Sequence, residues 1–232
     1  MGGQVDLLSR LAVAIASTPS SEPLSVRLCH ACRDLAEADG AAITVAYTSP
    51  DRVTLCATDA VASRLEDLQD IIGEGPGRTA AVTGQIEVCP IPNPDPGPWA
   101  LFSKAAEGIV RNATIHAVPM VPGDAIFGVL TLYRSRPPPA QLGLDAPALL
   151  KLAAAAGAAL VRDPASVDDE LVGGPWSSRS QIHQATGMVV AQLGVGVEDA
   201  LAVLRAHAYA GDTTLAVIAA SVVDRTLRFT NR

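Results

Sequence analysis

The chain has 232 residues, of which 49% are hydrophobic, 18% charged and only 3% aromatic, enough apolar material for one large or two modest cores. Its net charge of −7 is unevenly spread: residues 173–232 hold five arginines against four acids, a net +1, which leaves −8 for residues 1–172. That excludes a strongly basic nucleic-acid patch on charge alone, and the longest near-apolar stretch, 149–161, holds Lys151 and is too short to span a bilayer.

The first helical pattern joins Val5, Leu8, Ala12 and Ile15 and stops at the Pro/Ser stretch Thr18–Pro23. A second helix is predicted over Leu24–Ala38, with Leu28, Cys32 and Leu35 on one stripe, ended by Asp39 and Gly40. Strand-like runs Ala41–Tyr47 and Val53–Thr58 flank the turn Thr48–Asp51 and read as a hairpin. A helix over Val61–Ile72 leads to the glycine-rich Gly73–Gly77, a helical turn at Ala80–Val82 and a strand at Ile86–Cys89. The loop Pro90–Pro98 precedes a helix over Trp99–Val110. Strands Thr114–Met120 and Ile126–Tyr133 form a second hairpin turned at Pro122–Asp124, and a long helix follows over Leu144–Arg162. The order of elements predicts an α+β domain, an antiparallel sheet flanked by helices.

Asp163–Pro175 reads as a linker. Three amphipathic helices are predicted beyond it, Ser177–Leu193, Val197–Ala210 and Thr213–Leu227, a C-terminal all-α unit. Gly194 and Gly211 are expected to supply left-handed caps, and Asp212 or Thr213 to cap the third helix. Their core is small, so part of the first of them is expected to pair with its copy in a homodimer.

Four constellations invite chemistry. Cys29 and Cys32 share a helix face, as buried core thiols or as a redox or metal pair; zinc would need further ligands, from Cys56 or Cys89. Gly73–Gly77 lacks the Gly-Lys-Ser/Thr of a phosphate loop and reads as a tight turn. Glu66, Asp67, Asp70 and Glu74 read as a solvated acidic face. His116 has no serine or cysteine beside it in a nucleophile–base motif. With no assembled catalytic set, a non-enzymatic chain is expected, without metal or cofactor. The N-terminus shows no leader pattern, so a cytoplasmic location with reduced thiols is expected.

In the tail, Arg179, Ile182, Gln184, Ala185 and Gly187, then Ala200, Leu204, Arg205 and Ala208, stand in the register of the ANTAR family, which the segment from about 176 onward resembles. The resemblance implies a three-helix RNA-binding module of a bacterial regulator. Such a module binds paired hairpins in nascent transcripts, acts as a dimer and prevents a terminator from forming. It assigns RNA contacts to Arg179 and Arg205, with His183, Gln184 and Thr186 as neighbours. Thr186 stands where the family commonly has lysine, which removes a charge from the phosphate contact. Only Trp176, Tyr209 and Phe229 are available there to stack bases.

The front, roughly 24–162, resembles a GAF domain through Asp39–Thr44, Leu65–Gln69, Gly73–Pro76 and Phe127–Tyr133. That implies a sensory unit whose ligand, if it takes one, is a small molecule that the sequence leaves unidentified. The domain reading is 1–23 as lead-in helix, 24–162 GAF-like, 163–175 linker and 176–232 ANTAR-like. The functional expectation is a ligand-controlled RNA-binding antiterminator. The alternative is a signal-transduction regulator that binds no RNA and uses its C-terminal helices for dimerisation or partner docking.

Overall fold

The computed structural model describes residues 2–46, 52–95, 97–135, 141–163 and 175–230, with side chains from residue 6 and, in the last segment, from 180. The chain divides into two compact units, Met1–Gln69 with Glu74–Asp168, and Asp70–Gly73 with Asp169–Arg232. Most of the expected linker lies outside the described residues.

Up to the expected linker the elements run α1 (Gly2–Ala16), α2 (Leu24–Leu35), β1 (Gly40–Ala46), β2 (Arg52–Ala57), α3 (Ala60–Ile72), α4 (Pro76–Thr83), β3 (Glu87–Ile91), α5 (Ala100–Ala106), β4 (Ala113–Met120), β5 (Gly128–Ser135) and α6 (Ala146–Val161), all in the first unit but for the last residues of α3. The five strands form one sheet in the order β2-β1-β5-β4-β3, and each neighbouring pair is antiparallel. This is the expected antiparallel sheet flanked by helices.

Central β5 is buried along nearly its whole length, because both sheet faces are covered. Alternation sends Leu130 and Leu132 to the face covered by α2 and α6, on which α1 packs, where they join Leu28, Cys29, Cys32, Leu152 and Ala156. Leu7 and Leu11 of α1 belong to that same core. Val129, next to Leu130, packs with Ala117 and with Ala80 of α4 on the other face. Asp145 starts α6 by accepting a hydrogen bond from the Ala148 N–H at 2.9 Å.

Pro90, expected in a loop, lies within β3 opposite Thr114. Only an edge strand tolerates its missing N–H, and β3 is at the sheet edge. The predicted helix at 99–110 narrows to α5, whose N-terminus is fixed from a distance: Glu74 Oε1 accepts from Leu101 N and Phe102 N at 2.8 and 3.0 Å.

The second unit contains α7 (Pro175–Leu193), α8 (Val197–Ala210) and α9 (Leu215–Val223). Its core is Ala185, Val189, Ala200, Leu204, Leu215, Ala219 and Val222. Gly194 takes the expected left-handed conformation, φ 68°. Gly211 does not, at φ −90°. Asp212 does so instead, at φ 46°, one residue later, as a short polar side chain can. With Asp212 used in that turn, the cap of α9 passes to Thr214, whose Oγ1 accepts from Val217 N at 3.2 Å. Among the described residues no single helix is long and apolar enough to cross a membrane.

The close approach of β1 to β5 depends on Gly128. A Cβ there would stand 2.8 Å from Met120 Cε and 2.9 Å from Val45 Cα and would run into the Thr44 carbonyl. Backbone atoms cannot rotate away, so Gly128→Ala is expected to destabilise the sheet unit by about 1–3 kcal/mol, as core overpacking does. Chemical denaturation followed by near-UV circular dichroism checks this; an unchanged midpoint would refute it.

Candidate nucleic-acid interface

Helix α7 carries most of the tail positions singled out from the sequence. Its buried face is Ala185 and Val189, with Ile182 and Leu193 packed beside them. His183 and Gln184 point away from that face and are exposed. Arg179 lies in α7, and its side chain is outside the described residues. Thr186 is buried, 7% exposed, and its Oγ1 donates to the Ile182 carbonyl at 2.7 Å. That hydroxyl is satisfied inside its own helix, the usual behaviour of a mid-helix threonine. Arg205 of α8 is half-buried, and its Nε lies in the interior with no hydrogen-bond partner among the described residues. Burial pushes its guanidinium below the ordinary arginine value. The candidates therefore divide: His183 and Gln184 face solvent, while Thr186 and much of Arg205 are drawn inward.

Gln184, Met188 and Gln192 follow one another at one-turn spacing on α7. The last two open into a groove of about 660 Å³ that the chain after α9 completes with Arg225, Arg228, Phe229 and Thr230. The returning segment is pinned where Phe229 N donates to Gln192 Oε1 at 2.8 Å. The Phe229 ring meets His207 edge-on, with centroids 4.7 Å apart and planes at 85°. Sequence reasoning noted Phe229 as a possible stacking ring but passed over Arg225 and Arg228. The available signal was two arginines three apart next to one of the tail's few aromatic rings.

The sheet unit holds a second polar centre. The four-residue acidic face expected from the sequence is not uniformly solvated: Glu66 is fully buried and forms an ion pair with Arg52. Thr44 Oγ1 donates to Glu66 Oε2 at 2.9 Å and Gln69 Nε2 to Oε1 at 3.0 Å. Gln69 Oε1 in turn accepts from Gly77 N at 2.7 Å. The glycine-rich segment is thus a turn held from beneath, with Gly75 at φ 146° and Pro76 opening α4. The Thr131 hydroxyl is buried without a hydrogen-bond partner among the described residues. His116 lies half-buried in β4, between Val88 and Leu132 in register.

All four cysteines are buried and free. The Cys29 thiol donates to the Ala41 carbonyl at 3.4 Å, and Cys56 to that of Ser25 at 3.0 Å. The Cys56 contact and burial push the Cys29 thiol far up; burial does the same to Cys32 and raises Cys89. Among the described residues no group of three or more His, Cys, Asp or Glu is placed to hold a metal ion.

Residues 176–223 match the family model of the ANTAR domain, and α7–α9 are its three helices. No curated protein matches the chain in sequence. Among solved structures, a GAF domain of A. aeolicus in an inactive state is 11% identical over 66% of this chain and 88% of its own, with a TM-score of 0.41. A phytochrome photosensory core module of Stigmatella aurantiaca is also 11% identical, over 87% of this chain and 44% of its own, with a TM-score of 0.42.

Raised thiols stay protonated and unreactive at neutral pH. All four thiols are also buried, out of reach of a reagent in solution, so the native protein is expected to resist thiol-specific labelling near neutral pH and to expose all four cysteines only on denaturation. Mass spectrometry of labelled native protein checks this; rapid modification of Cys29 or Cys32 would restore a redox role.

Proposed function

We propose, from an ANTAR domain at residues 176–223, that the chain is a non-enzymatic, cytoplasmic transcription regulator whose C-terminal helices bind hairpins in nascent RNA and act as an antiterminator. The family match on a three-helix unit carries this reading. The GAF resemblance of the front, together with its helix-covered antiparallel sheet, supports a small-molecule sensory role for that unit. A ligand there changes RNA binding only through unequal affinity for two states of the protein. A homodimer is the expected functional form.

Within this reading the exposed His183 and Gln184 are the α7 side chains best placed to touch RNA, and Arg179 belongs with them by the family register. Arg205 contributes where its guanidinium reaches solvent. Thr186 contributes to the helix rather than to the RNA, since its hydroxyl is already donated to Ile182. That inward placement, and the net charge of only +1 over residues 173–232, favour a second reading in which the helices dock a protein partner.

A two-hairpin RNA from the leader of a gene in the same genome, titrated by fluorescence anisotropy across a salt series, separates the two. Saturable binding that prefers paired hairpins and weakens with salt supports the antiterminator, because phosphate contacts release counterions. Absence of binding at low salt, by a folded dimer with and without cell metabolites, moves the assignment to protein docking. If RNA binds, the double change His183→Ala with Gln184→Ala is expected to weaken it several-fold. Thr186→Val should leave affinity within about twofold, since only an internal hydrogen bond is lost.

A further inference from the structure

The groove lined by Met188, Gln192, Arg225, Arg228, Phe229 and Thr230 lies largely outside the family match, which ends at residue 223. We propose that it is a subsite for one unpaired RNA nucleotide, with Arg225 and Arg228 holding its phosphate and the Phe229 ring receiving its base. This rests on the RNA-binding reading above and specifies where, beyond the matched helices, the RNA is engaged.

Both guanidiniums are exposed, and neither has a carboxylate partner among the described residues. Among the described residues no acidic side chain lines the groove. Two of the five arginines in residues 173–232 therefore meet at one opening, in a segment whose net charge is only +1. The planar fork of arginine donors matches phosphate oxygens. A volume of about 660 Å³ lies within the range of sites that enclose small ligands.

The aromatic ring decides between paired and unpaired RNA. A base within a duplex is stacked on its neighbours and cannot present its face to a side chain, whereas a loop base can. Among the described residues Phe229 is the groove's aromatic residue, and its two anchors, Gln192 through the backbone and His207 at the ring, hold it in position before any ligand arrives. Pre-ordering of this kind lowers the entropy that binding would otherwise cost.

Arg225 ends α9 in the left-handed conformation, φ 62°, followed by hydrogen bonds from Thr226 N and Leu227 N to the Ser221 carbonyl at 2.9 and 3.0 Å. Glycine is the residue such a position favours. Glu37, Asn112 and Asp212 adopt the same conformation; what distinguishes Arg225 is that its side chain lines the groove beside Arg228 and Phe229.

The test uses the full-length protein and three variants, Arg225→Gly, Arg228→Ala and Phe229→Leu. The probe is a hairpin RNA with unpaired loop bases, beside the same RNA made abasic at each loop position in turn and a blunt duplex of equal charge. Each variant is expected to weaken binding to the loop RNA about tenfold, within the range of losing one stacked base or a charged contact. Arg228→Ala should also lower the slope of log affinity against log salt by about one. Arg225→Gly should do so while the melting temperature holds or rises, which separates loss of binding from loss of fold. Phe229→Leu should have no further effect on the RNA whose critical loop base is missing. Loop-RNA affinity unchanged in all three variants, with wild-type binding intact, would overturn the subsite and leave the antiterminator reading standing. Absence of RNA binding by the wild type would remove both. Tight binding of adenosine monophosphate alone, with RNA affinity unchanged in the variants, would assign the groove to a free nucleotide and overturn the proposal.

Discussion

One buried carboxylate organises the sheet unit. Glu66 has no access to water, and a charge in that position is tolerable only if it is paired and hydrogen-bonded. The requirement is met from several elements: Arg52 comes from β2, Thr44 from β1 and Gln69 from the next turn of α3. Through its other end Gln69 fixes Gly77 at the start of α4. Removing any one partner leaves a buried polar group unsatisfied. The helical segment between β2 and β3 is therefore held on one sheet face by polar contacts as well as by the apolar packing of Ala80 on Ala117 and Val129, whereas α2 and α6, with α1 packed on them, cover the other face by apolar packing. The two faces of one sheet thus differ in how much of their contact is polar.

Much of this was legible in the sequence because periodicity and punctuation are local. The apolar spacing of Leu28, Cys32 and Leu35 gave α2, and the strand-like run Ile126–Tyr133 after the Pro122–Asp124 turn gave β5. What escaped was set by contacts distant in the chain. Nothing near Glu66 reveals that Arg52 returns to meet it; a helix rich in carboxylates looks solvated until its partner strand is known. Pro90 looked like loop punctuation because only the sheet order shows that β3 is an edge. The cap of α9 moved to Thr214 because Asp212, rather than Gly211, took the left-handed turn, a choice between adjacent residues that periodicity does not resolve.

In the C-terminal unit the family register and the physical placement of side chains diverge. Positions matched by register are not equally exposed: Thr186 and much of Arg205 turn inward, and His183 and Gln184 outward. A core made largely of alanine and valine lets short helices approach closely, and close approach leaves little room for polar side chains near the seam. Register identifies which helix positions matter to a family; burial decides whether each acts by touching a ligand or by holding the helix. Thr186 is buried, and its hydroxyl donates to the Ile182 carbonyl within its own helix.

A folded sequence agrees with itself at most levels, and its departures from local rule concentrate where something other than stability is selected. Two departures stand out, one in each unit. Glu66 places a charge where an apolar residue of similar size would need no partners. Arg225 places a long cationic side chain where glycine would relax the backbone. The first is compensated fully inside the fold, by Arg52, Thr44 and Gln69, so its cost and its compensation both belong to architecture. The second has no such compensation: the turn after α9 closes through backbone hydrogen bonds that any residue could donate, and the guanidinium extends into an open groove beside Arg228 and Phe229. The segment after α9, beyond the family match, thus brings two exposed arginines and an aromatic ring to one groove.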